Sequence, residues 1–385
     1  MSAASGDAAR PALRNLLEPR SLVDHFLAAP PVDFSALTTA LGTPAFFARF
    51  DVLTTADESM RHRVAGWPLY AWWRRWLRLR TCFIGTTVSE YALFPAGVDA
   101  DALVGEWLTL FARRQTLLIV KDIPQESPLL DRASNASARA ISIACEAAGF
   151  VLLEGQALAW VPIDFESGDE YLGRLSAGRR KDIRRKLRAR AELDIEEVPT
   201  GAALFQDHAT RDLFHTLYLN VYAQSEIHFD QLSRAFFDAV LQDATSGGIV
   251  FIYRHAGRII GWNLCFSVGD SLVDKYVGFA YPAAREHNLY FVSWMHNLEY
   301  ARRHGLACYV AGWTDPEIKS YLGARFTFTR HAVRPRNRLL RAALRRIAGH
   351  FESDRAWADA KSSADKPVSQ DTADHAHDVA SPHRP

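Results

Sequence analysis

Apolar positions recur along most of this chain at two spacings, and the changes between them divide it into elements. Steps of three and four mark helices, and short apolar or alternating runs mark strands. DADALVGEWLTLFARR begins with Asp99 or Asp101 placed as a helix N-cap and continues at helical spacing. TLLIVKDIP reads as a short buried strand, and ASARAISIACEAAGF as a helix closed by Gly149. RTCFIGTTVSEYALFP reads as a hairpin around Thr87 to Glu90, and VLLEGQALAWVPI as strand, turn, strand. A strongly basic helix follows, then the strand DIEEVP and two amphipathic helices, RDLFHTLYLNVYAQ and SRAFFDAVLQDA. Three strands come in quick succession, GGIVFIYRHAG, RIIGWNLCFSV and DSLVDKYVGFAY, with Gly257 and the Gly269–Asp270 pair at their turns. HNLYFVSWMHNLEYARRHG is a long helix, LACYVAGW a strand, DPEIKSYLG a short helix and ARFTFTRHAVR a last strand. NRLLRAALRRIAGHF closes the pattern as an amphipathic helix with a basic face.

This alternation predicts an α/β (α+β) protein with two lobes, residues 21–168 and 169–350. A faint echo supports the division: ISIACEAAGFVLLEG and NLEYARRHGLACYVAG each read helix, Gly149 or Gly305, then an apolar strand. Convergence explains the echo equally well, since many helices end in glycine. Residues 1–20 and 351–385 are polar and small, and are expected to be disordered. His375, His377 and His383 in the tail are read as solvated rather than as metal ligands.

Composition narrows the function. With 385 residues and 48% hydrophobic content, two domains can bury their own cores. The four cysteines, Cys82, Cys145, Cys265 and Cys308, stand apart in apolar runs and read as buried thiols, not a zinc or redox motif. No signal peptide or membrane-spanning run is read, so the default compartment is the cytoplasm. The formal net charge of +1 lacks the global excess of a dedicated nucleic-acid binder, so any basic function is local.

Two stretches hold that local charge. LSAGRRKDIRRKLRARAE carries eight Lys or Arg between Arg179 and Arg190, while Leu175, Ile183 and Leu187 share one face. Like charges at i,i+4 repel, as in Lys181 and Arg185, so such a helix is best placed beside phosphates. Arg180, Arg184 and Arg185 are the candidate phosphate ligands; a plain solvated face, a membrane surface and tRNA remain alternatives. WPLYAWWRRWLRLR packs four tryptophans, Trp67, Trp72, Trp73 and Trp76, among arginines. It reads as a helix with Arg stems over Trp, a membrane-surface element, or a base-stacking platform.

The order of elements in the second lobe resembles the GNAT acyltransferase fold, and most closely its FemAB-like branch of tandem lobes, each a mixed, mostly antiparallel sheet flanked by helices. Three stretches carry the resemblance: the basic helix after Leu175 and Ser176, EHNLYFVSWMHNLEYARRHGL, and GWTDPEIKSYLGARF with Glu317, Lys319 and Gly323. The resemblance implies a sheet that splays at SLVDKYVGFA and a helix start near His287 or Asn288 that meets a donor's pyrophosphate. It also implies a glycine-rich loop there, which YPAAREHNLY lacks; Arg285 can still pair with a phosphate.

The implied reaction is acyl transfer by direct attack in a ternary complex, with acyl-CoA as co-substrate and an amine or hydroxyl of a small or lipid-linked, cell-envelope-related acceptor. No serine or cysteine stands in a nucleophile setting. Asp274, in an otherwise apolar strand, is the candidate base, with a structural salt bridge as the bland reading. Lys319 stands four residues before Gly323, where the resemblance implies a functional lysine. Tyr276, Tyr290 and Trp313 line the expected cleft, His287 and Asn288 start the helix, and Asp315 is the expected N-cap before Pro316. The alternatives are an aminoacyl-tRNA-dependent transferase, an inactive scaffold that binds a phosphorylated glycan or lipid beside a biosynthetic complex, and an RNA-binding protein. No metal is implied.

Overall fold

The computed structural model describes residues 11–51, 66, 78–225 and 229–348. Residues 1–10, residues 67–77 of the tryptophan–arginine stretch and the whole 351–385 tail lie outside them. Residues 11–20 correct the expected disorder. The short strand β1 (Leu13–Arg14) leads into a segment whose Asn15 and Glu18 are buried, and Asn15 donates to the Ala92 carbonyl.

The first half continues with α1 (Arg20–Ala28), then the antiparallel strands β2 (Ser35–Thr38), β3 (Pro44–Asp51) and β4 (Arg78–Ile84). After β5 (Phe94–Pro95) come α2 (Ala100–Phe111), β6 (Leu117–Pro124), α3 (Arg132–Ala147) and β7 (Val151–Pro162). Asp99 caps α2, its carboxylate accepting from the backbone of Asp101 and Ala102. Between the halves lie α4 (Gly168–Gly173), the basic α5 (Ala177–Lys186) and β8 (Asp194–Pro199). Then follow α6 (His208–Tyr222), α7 (Arg234–Gln242), and the meander β9 (Gly248–His255), β10 (Arg258–Val268) and β11 (Ser271–Phe279). The short α8 (Ala283–Glu286), the long α9 (Leu289–Arg303), β12 (Cys308–Gly312), α10 (Pro316–Tyr321), β13 (Arg325–Pro335) and α11 (Arg338–Ile347) complete the chain.

One sheet holds eleven of these strands, in the order β2-β3-β4-β6-β13-β7-β12-β11-β10-β9-β8. The two halves repeat one plan: an antiparallel meander, a parallel partner (β4 with β6, β11 with β12), a helix and a final strand. The final strands are exchanged. β13 pairs with β6 of the first half, β7 pairs with β12 of the second, and the two pair with each other at the centre. The division near residue 168 therefore separates two runs of sequence but not two sheets.

The plan corrects the internal echo. By position α2–β6 matches α9–β12, and α3–β7 matches α10–β13, so the two echoing stretches occupy different places. The expected hairpin at Thr87–Glu90 does not form. β4 ends before Gly85, at φ +120°, and β5 pairs with β1 instead. The expected turn in β7 is absent too. Gly155 lies mid-strand because a Cβ there would meet Thr329 Oγ1 at 2.3 Å across the sheet.

The four cysteines are buried and unpaired. Among the described residues no helix is long and apolar enough to cross a membrane.

Candidate functional site

β11 and β12 part company early. Their parallel pairing covers only Ser271–Val273 against Cys308–Val310, and β11 then runs on beside β10 alone. The main chain from Asp274 onward thus has no strand partner on the β12 side, and a wedge opens there. A bulge sits at its mouth. Cys265 faces Asp274 and Leu264 faces Tyr276, so Lys275 is the extra residue. Bulges re-aim side chains, and this one sends three consecutive residues to three places.

Asp274 turns towards α9. Its Oδ1 accepts from Asn263 Nδ2 at 2.6 Å, and its Oδ2 from Tyr309 Oη at 2.7 Å and Asn297 Nδ2 at 3.2 Å. Burial raises its pKa, and the bonds from Tyr309 and Asn263, with the charge of Lys319, pull it back. Tyr276 turns to the opposite face, where Phe236 and Phe237 meet its ring edge-on and its hydroxyl finds no partner.

Lys275 turns towards the first half. Its amine donates to Glu90 Oε1 at 2.5 Å and Glu18 Oε1 at 3.2 Å, all three side chains being buried. Burial opposes its charge, yet Glu90 and Glu18 outweigh it and hold the pKa above that of an ordinary lysine. The bland reading of the Asp274–Lys275 pair is half right: the lysine is a structural ion pair, but not with its neighbour.

Lys319 enters the wedge from α10. The helix starts at Pro316 as expected, but Asp315 is a correction: it adopts φ +53° and its side chain caps nothing. Lys319 is 5% exposed, and its amine forms neither a hydrogen bond nor an ion pair with another described residue. Gly312, at φ +80°, leaves the space opposite open; a Cβ there would stand 3.8 Å from Lys319 Nζ. Burial brings the pKa of Lys319 down to about 8, against the pull of Asp274, Glu90 and Asp315. An amine that changes charge near neutrality, next to a carboxylate at a strand opening, is equipped for proton transfer and for steadying an oxyanion.

Other expected residues are more scattered. Tyr290 is close enough for Asp274 and Asp315 to raise its pKa further after burial has done so. Trp313 meets Tyr91 edge-on at 6.2 Å, and the Tyr91 hydroxyl joins Ser127 at 2.7 Å and Thr327 at 2.8 Å. The expected glycine loop is a turn of helix, α8, where Arg285 bonds Gln224 and lies over the Tyr281 ring. Asn288 adopts φ +51° at the start of α9 without a side-chain cap. His287 faces Glu192 at 3.2 Å and His255 ring to ring at 4.1 Å. Their donor atoms lie within 4.8 Å of one another, a set that could hold a divalent cation.

The basic helix is tied to the wedge. Ile183 is buried, with Leu175 and Leu187 beside it in the same core. Asp182 accepts from Tyr321 Oη at 2.8 Å and pairs with Arg185 at 2.7 Å and Lys186 at 2.9 Å, which anchors α5 on α10 two residues past Lys319. Arg184 reaches Asp169 at 2.7 Å, and Arg180 bonds the carbonyls of Gly173 and Leu175.

Asn263, Asn297, Tyr309, Glu18 and Glu90 escaped the reading of the sequence. Asn263 carried a usable signal, a carboxamide inside the apolar run RIIGWNLCFSV. Shape is no guide either: a recess of about 610 Å³ lined by Pro11, Arg20, Asp24 and His25 shares no residue with the wedge.

The chain matches the FemAB-like family, described as peptidoglycan biosynthesis/recognition, over residues 135–364. No curated protein matches it. Similar solved structures include the C-terminal domain of a putative lysylphosphatidylglycerol synthetase from Agrobacterium fabrum, with TM-score 0.49 and 13% identity over 81% of this chain and 88% of that one. L-PGS from Bacillus licheniformis gives 0.49 and 8%, over 86% and 97%. FemX gives 0.47 and 12%, over 85% and 98%. The family match takes in more than half of the chain, including both Asp274 and Lys319, and the chain belongs to the FemAB-like family.

Proposed function

We propose that this protein is a transferase that moves an acyl or aminoacyl group from an activated donor to an amine or hydroxyl of a cell-envelope-related acceptor. The observation that carries the reading is Lys319, buried at the β11–β12 opening with no partner among the described residues and with its pKa brought down to about 8. The acceptor nitrogen or oxygen attacks the donor carbonyl carbon directly. The new bond forms, the carbonyl oxygen takes the negative charge, and the bond to the leaving group then breaks. Lys319 in its charged form steadies that oxygen or gives its proton to the leaving group. Asp274 orients the acceptor and takes its proton, aided by a pKa that burial has raised. Transfer accordingly declines as pH rises through about 8, where Lys319 loses its charge.

The second half holds the site in this reading. In the first half β4 pairs with β6 up to its last residue, Ile84, and α3, the counterpart of α10, carries no lysine.

Acyl-CoA is the donor proposed first, because the free edge of β11 suits an amide-bearing arm. A specific observation favours the second donor, aminoacyl-tRNA. A helical turn stands where a pyrophosphate loop is expected, and a basic helix is anchored two residues from Lys319. Melting temperatures of the full chain with acetyl-CoA, longer acyl-CoAs, CoA and charged tRNA separate these. A ligand at a hundred times its Kd adds about 2.7 kcal/mol of stability. A rise with the CoA series supports the first donor, and a rise with charged tRNA alone the second. No rise with either overturns the transferase reading in favour of a scaffold.

A further inference from the structure

The last helix, α11, faces the wrong way for a helix that serves only the core. At about 100° per residue, Leu339, Leu340, Ala343 and Leu344 fall on one arc, and Arg338, Arg341, Arg345 and Arg346 on the other. Of its described side chains, Leu344 at the edge of the arc packs against the core. Leu339 is 80% exposed and Leu340 56%, the two most exposed leucines described. A helix packed on its own domain buries this arc.

The charge around it is one-sided. From Arg334 to Arg346 the sequence holds six arginines and no Asp or Glu. After burial, the groups that lower the pKa of Arg334 and Arg341 are other arginines: Arg341 and Arg338 in one case, Arg345 and Arg338 in the other. The Nε of Arg341 is buried without a hydrogen-bond partner. The arginines of this patch repel one another, and those of α11 form no ion pair with a described residue.

We propose that α11 docks this protein on an anionic lipid surface, with Leu339 and Leu340 entering the acyl boundary and the flanking arginines meeting the headgroups. The two open leucines choose a membrane over a nucleic acid. A phosphate backbone neutralises arginine but offers nothing to two adjacent aliphatic side chains, whereas an interfacial helix uses both faces at once. Docking is independent of the transfer reaction and of the donor that serves it.

Co-sedimentation of the full chain with vesicles tests it, using phosphatidylglycerol mixed with phosphatidylcholine, and phosphatidylcholine alone. The protein is expected to pellet with the anionic vesicles only. Each arginine near an anionic surface is worth about fivefold in partition, so the triple variant R338Q/R345Q/R346Q is expected to lose about a hundredfold. Leu339→Gln with Leu340→Gln is expected to lose at least about thirtyfold with every charge in place. Both variants change exposed positions, and an unaltered melting temperature shows that they fold. Two results overturn the proposal: no pelleting with anionic vesicles, or pelleting that the arginine changes abolish and the leucine changes leave intact, which is the signature of a purely electrostatic site for RNA or free anions.

Discussion

Lys319 places a cost on the fold. Its charged form is disfavoured by burial, and the surrounding carboxylates recover part of that loss but not all. Below pH 8 the amine is charged in both folded and unfolded chains, and the folded state bears the penalty. Between about 8 and 10.5 the unfolded chain still binds a proton that the folded chain has released, so this group makes stability rise with pH across that window. Lys319→Met removes the penalty. It is expected to stabilise the protein at pH 7 by about 1–2 kcal/mol while abolishing transfer, as checked by urea denaturation beside an activity assay. A structural lysine gives the opposite result, with loss of stability. The family resemblance singled out the lysine itself, by its place four residues before Gly323. Its burial was not legible, because Asp274 and Glu90 come to it from distant parts of the chain.

At the scale of elements, the bulge on β11 distributes three neighbouring residues among three tasks. Asp274 goes to the wedge, Lys275 to the ion triplet with Glu18 and Glu90, and Tyr276 to the core. Lys275→Met leaves two buried carboxylates facing each other without a cation. The expected cost is about 3–5 kcal/mol, read as a lowered denaturation midpoint at neutral pH, and it shrinks in acid where the glutamates take up protons. A loss below about 1 kcal/mol refutes the structural role. Helices and strands were legible here because periodicity is a local property: α2, α3, α6, α7, α9 and β8 to β13 all form where the apolar pattern places them. The errors came from glycines whose reason is tertiary. Gly85 ends β4 without turning it into a hairpin, and Gly155 makes room for Thr329 across the sheet. The ion triplet was illegible for the same reason, since Glu18 lies in a segment that composition reads as a loose terminus.

At the scale of the whole molecule, the exchanged final strands make the two halves one structure. A fragment of residues 169–348 keeps β13 but loses its neighbours β6 and β7, and leaves β12 without β7. Two central strands then present bare edges, the arrangement that natural sheets avoid. The fragment is expected to aggregate on expression and to become soluble only when residues 11–168 are supplied. A soluble, cooperatively melting fragment contradicts this. The expected division rested on the alternation of elements and on an echo between stretches that occupy different places; the exchange was not readable, because pairing partners more than a hundred residues apart leave no local trace.

Everything proposed about the reaction rests on the state of one amine. The chain has seven lysines, few enough for selective 13Cε labelling and titration by NMR, with Lys319 assigned by the signal that Lys319→Met removes. The account predicts that this signal titrates near pH 8. In Asp274→Asn it moves lower still, because Asp274 is the charge that contributes most to holding the proton on. A Lys319 signal that titrates with the surface lysines, near 10.4 or so, and ignores Asp274→Asn contradicts the account.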